Sequence, residues 1–408
     1  MAHVLMCWEL GANLGHIDRL LALARPLAAR GHRVSFVLRD LSRVHQRVVK
    51  EGFSVGQAPV WLPRLANPPR LGNYSAVLAS AGWLDATGLA GLLSGWRTWF
   101  DVLQPDVLVC DHAPTALLAA RGSGVTTWAI GSSFEIPPTG AGWFPPFEIT
   151  PGKTPGNTGS AATTCSHFDQ TVLTPTNAAL ALCGRPPLPR LTALFDGAQR
   201  ALSAWPELAH YSGYGPDVHW AGPNYLGDSG STPVWPQGSG PQVFAYLDAS
   251  CADFEPLLTG LGAAGARLLV HAKGLAGSAA QRLGGPRIRF EAEPVRMDAA
   301  VALADVVVSH GGQGSLAAAA LAGKPQLLLP RHVEQAMGAA RLTQTGAALV
   351  LEPGQGGGGG PALRRLLTEP AFKAAAQALA ARHSGHAPGL TVATLVGLID
   401  GRLAPPCA

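Results

Sequence analysis

The sequence predicts an α/β protein made of two parallel-sheet domains, and three observations carry that prediction. At 408 residues the chain is too long for one ordinary hydrophobic core. Each half alternates short apolar runs with stretches of helical hydrophobic spacing, the pattern of a parallel sheet covered on both faces. Between the halves, from about Ser212 to Pro241, Gly, Pro, Ser and Asp replace any hydrophobic period. The expected organisation is a first domain over 1–215, a linker over 216–240, a second domain over 241–385 and a tail over 386–408 that packs back on the first domain.

In the first half, His3 to Leu10 is an apolar run ending in the glycine turn Gly11 to Gly15. Leu20, Leu21, Leu23, Ala24 and Leu27 then recur at helical spacing. Arg33 to Leu38, Val107 to Cys110 and Thr126 to Ile130 read as further buried strands. In the second half the expected strands are Val243 to Leu247, Leu268 to His271, Arg287 to Phe290, Asp305 to Ser309, Gln326 to Leu329 and Ala347 to Leu351. The run Pro353 to Gly360 carries five consecutive glycines, Gly356 to Gly360, and reads as a mobile surface loop. Pro361 to Arg382 reads as a helix.

Composition narrows the function. An apolar share of 47% with 14% charged residues belongs to a globular chain. The net charge of +4 comes from scattered Arg without a basic stripe, so nucleic acid is not an expected partner. Six cysteines fall in no CxxC pair, which fits a reducing compartment. The first ten residues do not form a signal peptide, and no apolar stretch of about 20 residues could span a bilayer. A cytoplasmic placement is expected, with peripheral membrane contact left open.

The most informative segment is Asp305 to Leu321. Asp305-Val306-Val307-Val308-Ser309 is a buried strand and Leu316 to Leu321 forms helix, so the glycines between occupy the turn where ligands bind in parallel sheets. A helix starting there aims free backbone N–H groups and its positive end at the turn, which suits a diphosphate. Gly311, Gly312 and Gly314 allow close backbone approach. Ser315 offers a hydroxyl, and His310 a ring N–H, to phosphate oxygens. Glu334 and Gln335, just after the next strand, place a carboxylate and an amide beside the same pocket, suited to sugar hydroxyls.

Taken together, Ser309-His310-Gly311-Gly312-Gln313-Gly314-Ser315, Gly323-Lys324-Pro325-Gln326, Glu334-Gln335, Ala340-Arg341 and Gly346-Ala347 resemble the donor-binding signature of the UDP-glycosyltransferase-like family with the GT-B fold. The variant with small residues most resembles bacterial glycosyltransferases that decorate natural products. The resemblance implies two Rossmann-like parallel-sheet domains facing across a cleft. It implies that His310, Gly312, Gly314 and Ser315 hold the donor diphosphate, with Ser250 near the phosphates, and that Glu334 and Gln335 hold the donor sugar. Pro294-Val295 falls where many members carry Pro-Gln flanking the base. Ala318 stands where many members carry a Glu that binds the ribose hydroxyls, so either UDP-sugar or dTDP-sugar is an expected donor. Neither a cofactor nor a metal is expected.

Sugar transfer with inversion needs a general base for the acceptor hydroxyl. His16, after the first glycine turn, and Asp111, at the end of the strand Val107 to Cys110, both fall at the carboxyl edge of the first sheet. A carboxylate there can orient the imidazole and stabilise its charged form. Both positions match the resembled family's catalytic His and Asp. His112 competes for the role of base. Trp143, Phe144 and Phe147 lie in a Pro/Gly-rich stretch and suggest an apolar acceptor pocket or lid for a small hydrophobic acceptor.

Three other readings compete. Gly312-Gln313-Gly314-Ser315-Leu316-Ala317 fits the dinucleotide pattern of an NAD(P)-binding oxidoreductase, but the acidic residue expected near Leu329 to Arg331 is missing. A glycosyltransferase acting on a lipid-linked carrier would show a basic amphipathic surface, which the scattered Arg does not form. A non-catalytic nucleotide-sugar binder would not need both His16 and Asp111.

Overall fold

A computed structural model of the protein describes residues 1–11, 15–63, 69–70, 72–149, 159–224 and 230–403. The middle of the first glycine turn, part of the linker and Cys407 lie outside the described residues.

Thirteen described strands form two all-parallel sheets. The first contains β1 (His3–Trp8), β2 (Arg33–Leu38), β3 (Ser54–Gln57), β4 (Val107–Asp111), β5 (Thr126–Gly131), β6 (Gln199–Leu202) and β7 (Val218–Trp220), ordered 3-2-1-4-5-6-7. The second contains β8 (Gln242–Asp248), β9 (Arg267–Lys273), β10 (Ile288–Glu291), β11 (Val306–Ser309), β12 (Gln326–Leu328) and β13 (Ala348–Val350), ordered 10-9-8-11-12-13. In both, chain order reverses beside the first strand, between β1 and β4 and between β8 and β11. Crevices at such reversal points, beyond the carboxyl ends of the strands, are where open α/β sheets bind ligands.

The strands are as apolar as burial on two faces demands. Val4, Leu5, Met6 and Cys7 of β1 are fully buried, as are Val306, Val307 and Val308 of β11. The strands missing from the sequence reading are β3, β6 and β7. β3 is an edge strand with exposed ends, β6 carries the polar pair Gln199-Arg200, and β7 has three residues. β7 lies inside the segment read as linker, so the first sheet continues at least to Trp220.

The last helix, Leu390–Gly401, packs Leu395, Val396 and Ile399 into the same cluster as Ile17, Leu20 and Leu27 of the first domain. Asp400 anchors it, accepting from His32 Nε2 at 2.9 Å and from Arg30 Nη1 at 2.8 Å.

The glycine run corrects the sequence reading. It is not a mobile loop: Gly356–Gly358 form a 3-10 turn, and Gly359–Thr368 is an α-helix packed on the helix Phe254–Ala263. The reason is close approach. A Cβ on Gly360 would lie 2.6 Å from the Gly260 carbonyl oxygen, and one on Gly359 would lie 2.7 Å from Leu257. Asp253 fixes the entry, accepting from the backbone N–H of Gly354 at 2.9 Å and of Gly356 at 2.8 Å. The predicted single helix to Arg382 is two, broken before Pro370, which opens Pro370–Arg382.

No single described helix is long and apolar enough to cross a membrane. The one bent pair that passes by length and composition, Tyr74–Trp83 with Ala86–Leu103, buries Trp83, Trp96 and Phe100 in the first domain's core.

Candidate functional site

On the first-domain side, His16 sits in the first turn of the helix Gly15–Ala29. Its ring stacks on Trp8 at 5.3 Å, and its Nδ1 lies 3.0 Å from Asp111 Oδ1. Parallel pairing of Trp8 with Asp111 brings the two strand ends together. A carboxylate beside Nδ1 keeps the proton on that nitrogen and leaves Nε2 as the basic atom. Nε2 faces Gly11, where a Cβ would come within 2.5 Å of it; Gly11 has φ +89. Only glycine satisfies both conditions. Burial pulls the His16 pKa down, but the charge and hydrogen bond of Asp111 outweigh it and leave His16 above its usual value.

Two further residues complete this side, and sequence reasoning missed both. Arg19 Nη1 donates to the same Asp111 Oδ1 at 2.8 Å and lies 3.5 Å from Glu135 Oε1. Glu135 Oε2 accepts from the backbone N–H and the hydroxyl of Ser132, each at 2.8 Å. Against a burial penalty, the charge of Arg19 holds the Glu135 carboxyl down at about 2. Arg19 was legible as a neighbour of His16, three residues along one helical face. Glu135, in the irregular turn after β5, carried no such signal.

His112, the competing base, is buried with φ +47, and burial lowers its pKa to about 4. Its Nε2 has no hydrogen-bond partner among the described residues. Held neutral and walled in by Tyr74 and Phe134, it is a poorer base than His16.

In the second domain, Gly312 is the N-cap of the helix Gln313–Leu321, which places Gly314 and Ser315 in its first turn. Gly311 adopts φ +81, and its N–H donates to Ser309 Oγ at 3.1 Å. His310 departs from expectation. Its Nδ1 donates to the Leu329 carbonyl at 2.8 Å and its Nε2 accepts the Asp248 N–H at 3.0 Å. Burial lowers its pKa, so the ring is neutral and has no N–H left for a phosphate. It instead ties β8 to the turn. Ser250 donates N–H and hydroxyl to Asp248 Oδ1, at 2.9 and 2.7 Å. Arg331, not anticipated from sequence, bonds Ser250 Oγ at 3.2 Å and Asp248 Oδ2 at 2.6 Å.

Glu334 and Gln335 lie in the first turn of the helix Val333–Gln344. Glu334 is half-buried, and burial together with the negative Glu135 pushes its pKa up to about 7. Its field reaches His16, Arg19 and Asp111 too, so the second domain's carboxylate faces the first domain's cluster across the cleft. Gln335 Oε1 accepts the Arg331 N–H at 2.9 Å. Gln313 Nε2 spans the cleft to the Ser132 carbonyl at 2.9 Å. A cavity of about 820 Å³ opens between the domains, lined by Gly15, Arg19, Ser132, Gln313 and Gly314 among others.

Two expected contacts, Val295 and Phe144, are not placed as predicted. Val295 is buried among Phe244, Leu269 and Val307, because an apolar side chain there turns into the core; Pro294 alone stays exposed. Phe144 is fully buried, edge-on to Tyr74 at 5.3 Å, so it is core rather than lid. Trp143 and Phe147 are half-buried, and Phe147 stacks on Phe134 at 5.4 Å. The loop is fixed by Asp169, which accepts from the Phe144 N–H, from Asn73 Nδ2 and from Ser75 Oγ. Asp169→Ala is expected to destabilise the first domain by about 1–3 kcal/mol for each group it orphans, read from the urea unfolding midpoint. Ala318 is buried, and its methyl group offers no carboxylate to a ribose.

Residues 256–396 match the family model described as the C-terminal domain of erythromycin biosynthesis protein CIII-like proteins. An uncharacterized glycosyltransferase of Methanosarcina acetivorans is 30% identical over 126 residues, 31% of this chain and 31% of its own length. TDP-daunosamine transferase DnrS of Streptomyces peucetius is 40% identical over 104 residues, 24% of each chain. The chain thus spans a third or less of the curated relatives it matches. Among solved structures, the glycotransferase of kitacinnamycin superposes with TM-score 0.68 at 18% identity, covering 99% of both chains. VinC in complex with dTDP superposes with TM-score 0.63 at 18% identity, covering 98% of this chain and 100% of that one. At these identities the structural likeness establishes the fold, which is GT-B.

Proposed function

We propose that this chain, which has the GT-B fold, is a glycosyltransferase of the natural-product type that moves a sugar from dTDP-sugar or UDP-sugar to a hydroxyl of a small, largely apolar acceptor. The observation that carries the reading is the pairing of two half-sites across one cleft. A basic imidazole on a buried carboxylate stands on one side, and a helix N-terminus with glycine approach on the other.

In this reading His16 Nε2 takes the acceptor proton as the hydroxyl oxygen attacks the anomeric carbon from the face opposite the leaving diphosphate, so the configuration inverts. Asp111 orients the ring and balances the imidazolium. Gly312, Gly314 and Ser315 receive the diphosphate, helped by the helix dipole. Arg331, at the neighbouring strand end, adds a cation, while Ser250, whose N–H and hydroxyl both go to Asp248, shapes that end rather than donating to the phosphates. These groups support a transfer that needs neither metal nor cofactor. Glu334 and Gln335 are the sugar-binding pair. Ala318 and the TDP named for DnrS favour thymidine over uridine. In this reading the enzyme acts in the cytoplasm.

A thermal-shift screen of dTDP, UDP, GDP and NAD tests the donor side. A ligand present at 100 times its Kd stabilises the folded state by about 2.7 kcal/mol. dTDP is expected to raise the Tm most, UDP less, and GDP and NAD little; a rise with NAD alone would revive the oxidoreductase reading.

A further inference from the structure

We propose that Arg19 is a positioning residue of the transfer centre, holding the Asp111 carboxylate by the oxygen that His16 also uses and so setting the pH range in which His16 acts as base. The inference deepens the reading of His16 and Asp111 given above and rests on it. Its ground is the geometry of one shared atom.

Asp111 Oδ1 receives His16 Nδ1 at 3.0 Å and Arg19 Nη1 at 2.8 Å. Oδ2 of the same carboxylate is buried without a partner among the described residues. Among the described residues the carboxylate's side-chain hydrogen bonds therefore run through one oxygen, divided between a titratable ring and a permanent cation. The same Arg19 Nη1 also lies 3.5 Å from Glu135 Oε1, and Ser132 holds that carboxylate in place. Gly131 lets Glu135 lie against the strand end, since a Cβ there would come within 2.7 Å of Glu135 Oε2.

Among the described residues the groups facing His16 are Trp8 from β1, Arg19 from its own helix, Asp111 and His112 from the end of β4, Glu135 from the turn after β5, and Glu334 from the second domain. Among the described residues His16, Asp111 and Glu135 also present donor atoms within 4.8 Å of one another. The guanidinium already sits on both carboxylates of that group. A cation fixed by the chain opposes the proton on His16, while the two carboxylates favour it. Without Arg19 the balance tips toward imidazolium, and the pH range in which His16 acts as base moves upward. Lysine in its place keeps a positive charge, though as a compact ammonium on a flexible stem rather than a planar guanidinium whose Nη1 meets both carboxylates.

The test is a histidine NMR titration of the full-length protein, with the His16 signal assigned by its loss in His16→Ala. Arg19→Gln is expected to move the His16 midpoint upward by at least about half a pH unit, the repulsion of unit charges about 6 Å apart in water. Arg19→Lys is expected to move it less. An unchanged midpoint in Arg19→Gln overturns the proposal. Should that variant not fold, the wild-type protein decides. The Arg19 Nε–H signal, identified by its absence from Arg19→Lys, is expected to titrate with the His16 midpoint, and a signal indifferent to His16 overturns the proposal. Neither outcome depends on nucleotide binding, so a failed dTDP screen and a failed titration are separate results.

Discussion

His16→Ala is expected to lower sugar transfer by about 10²–10⁴-fold, the usual contribution of a positioned base, while dTDP binding stays at the wild-type level. The two effects separate because His16 belongs to the first sheet and the diphosphate turn to the second. Asp111→Asn is expected to cost about as much as His16→Ala. An amide N–H₂ would donate to Nδ1 and drive the proton to Nε2, leaving no basic nitrogen toward the acceptor. The pH dependence has a definite sign. The base form is the neutral imidazole, and Asp111 holds the His16 pKa above its usual value despite burial. Transfer is therefore expected to rise with pH through that raised midpoint and to fall on acidification. Rates of dTDP release with matched binding titrations check all three points.

Gly360→Val is expected to destabilise the second domain by about 1–3 kcal/mol, the usual cost of forcing carbon into a packed contact, and more if the helices cannot separate. The first atom of the new side chain would sit 2.6 Å from the Gly260 carbonyl oxygen. The helix Gly359–Thr368 would have to lift from Phe254–Ala263, exposing Leu363 and Leu257, both fully buried. Gly357→Ala is the control. Nothing lies within 4 Å of a Cβ there, and removing a glycine stiffens the unfolded chain by about 0.4–1 kcal/mol. Urea unfolding midpoints of the two variants should move in opposite directions.

The glycine run also shows where sequence reasoning stopped. Five consecutive glycines lower the barrier to disorder when nothing approaches them, and they are required when two backbones meet; composition cannot distinguish the cases. The sheets were more legible. β1, β2, β4, β5, β8, β9 and β11 are buried on both faces and advertise themselves as apolar runs, whereas β7 is three residues in a polar segment. The half-sites were legible because they sit at strand ends beside chain reversals: His16 after β1, Asp111 ending β4, Ser250 after β8, the His310 turn after β11.

What was not legible is how side chains share partners. His310 looked like a phosphate donor and is consumed by Leu329 and Asp248. Val295 looked like a base-flanking residue and points into the core. Glu135 comes 116 residues after Arg19, and no local pattern announces a pair that only the fold brings together. Phe144 looked exposed by its Pro-rich neighbours, yet Asp169, a residue of the following long helix, pulls its backbone inward.

The central claim is that the second sheet's glycine turn holds a nucleoside diphosphate, and isothermal titration calorimetry of dTDP into the full-length protein tests it most directly. The account predicts saturable binding at one site per chain, weaker binding of UDP, and loss of the heat in a Gly314→Asp variant, whose carboxylate would repel the diphosphate. Absence of binding by either nucleotide, or undiminished binding in Gly314→Asp, would contradict it.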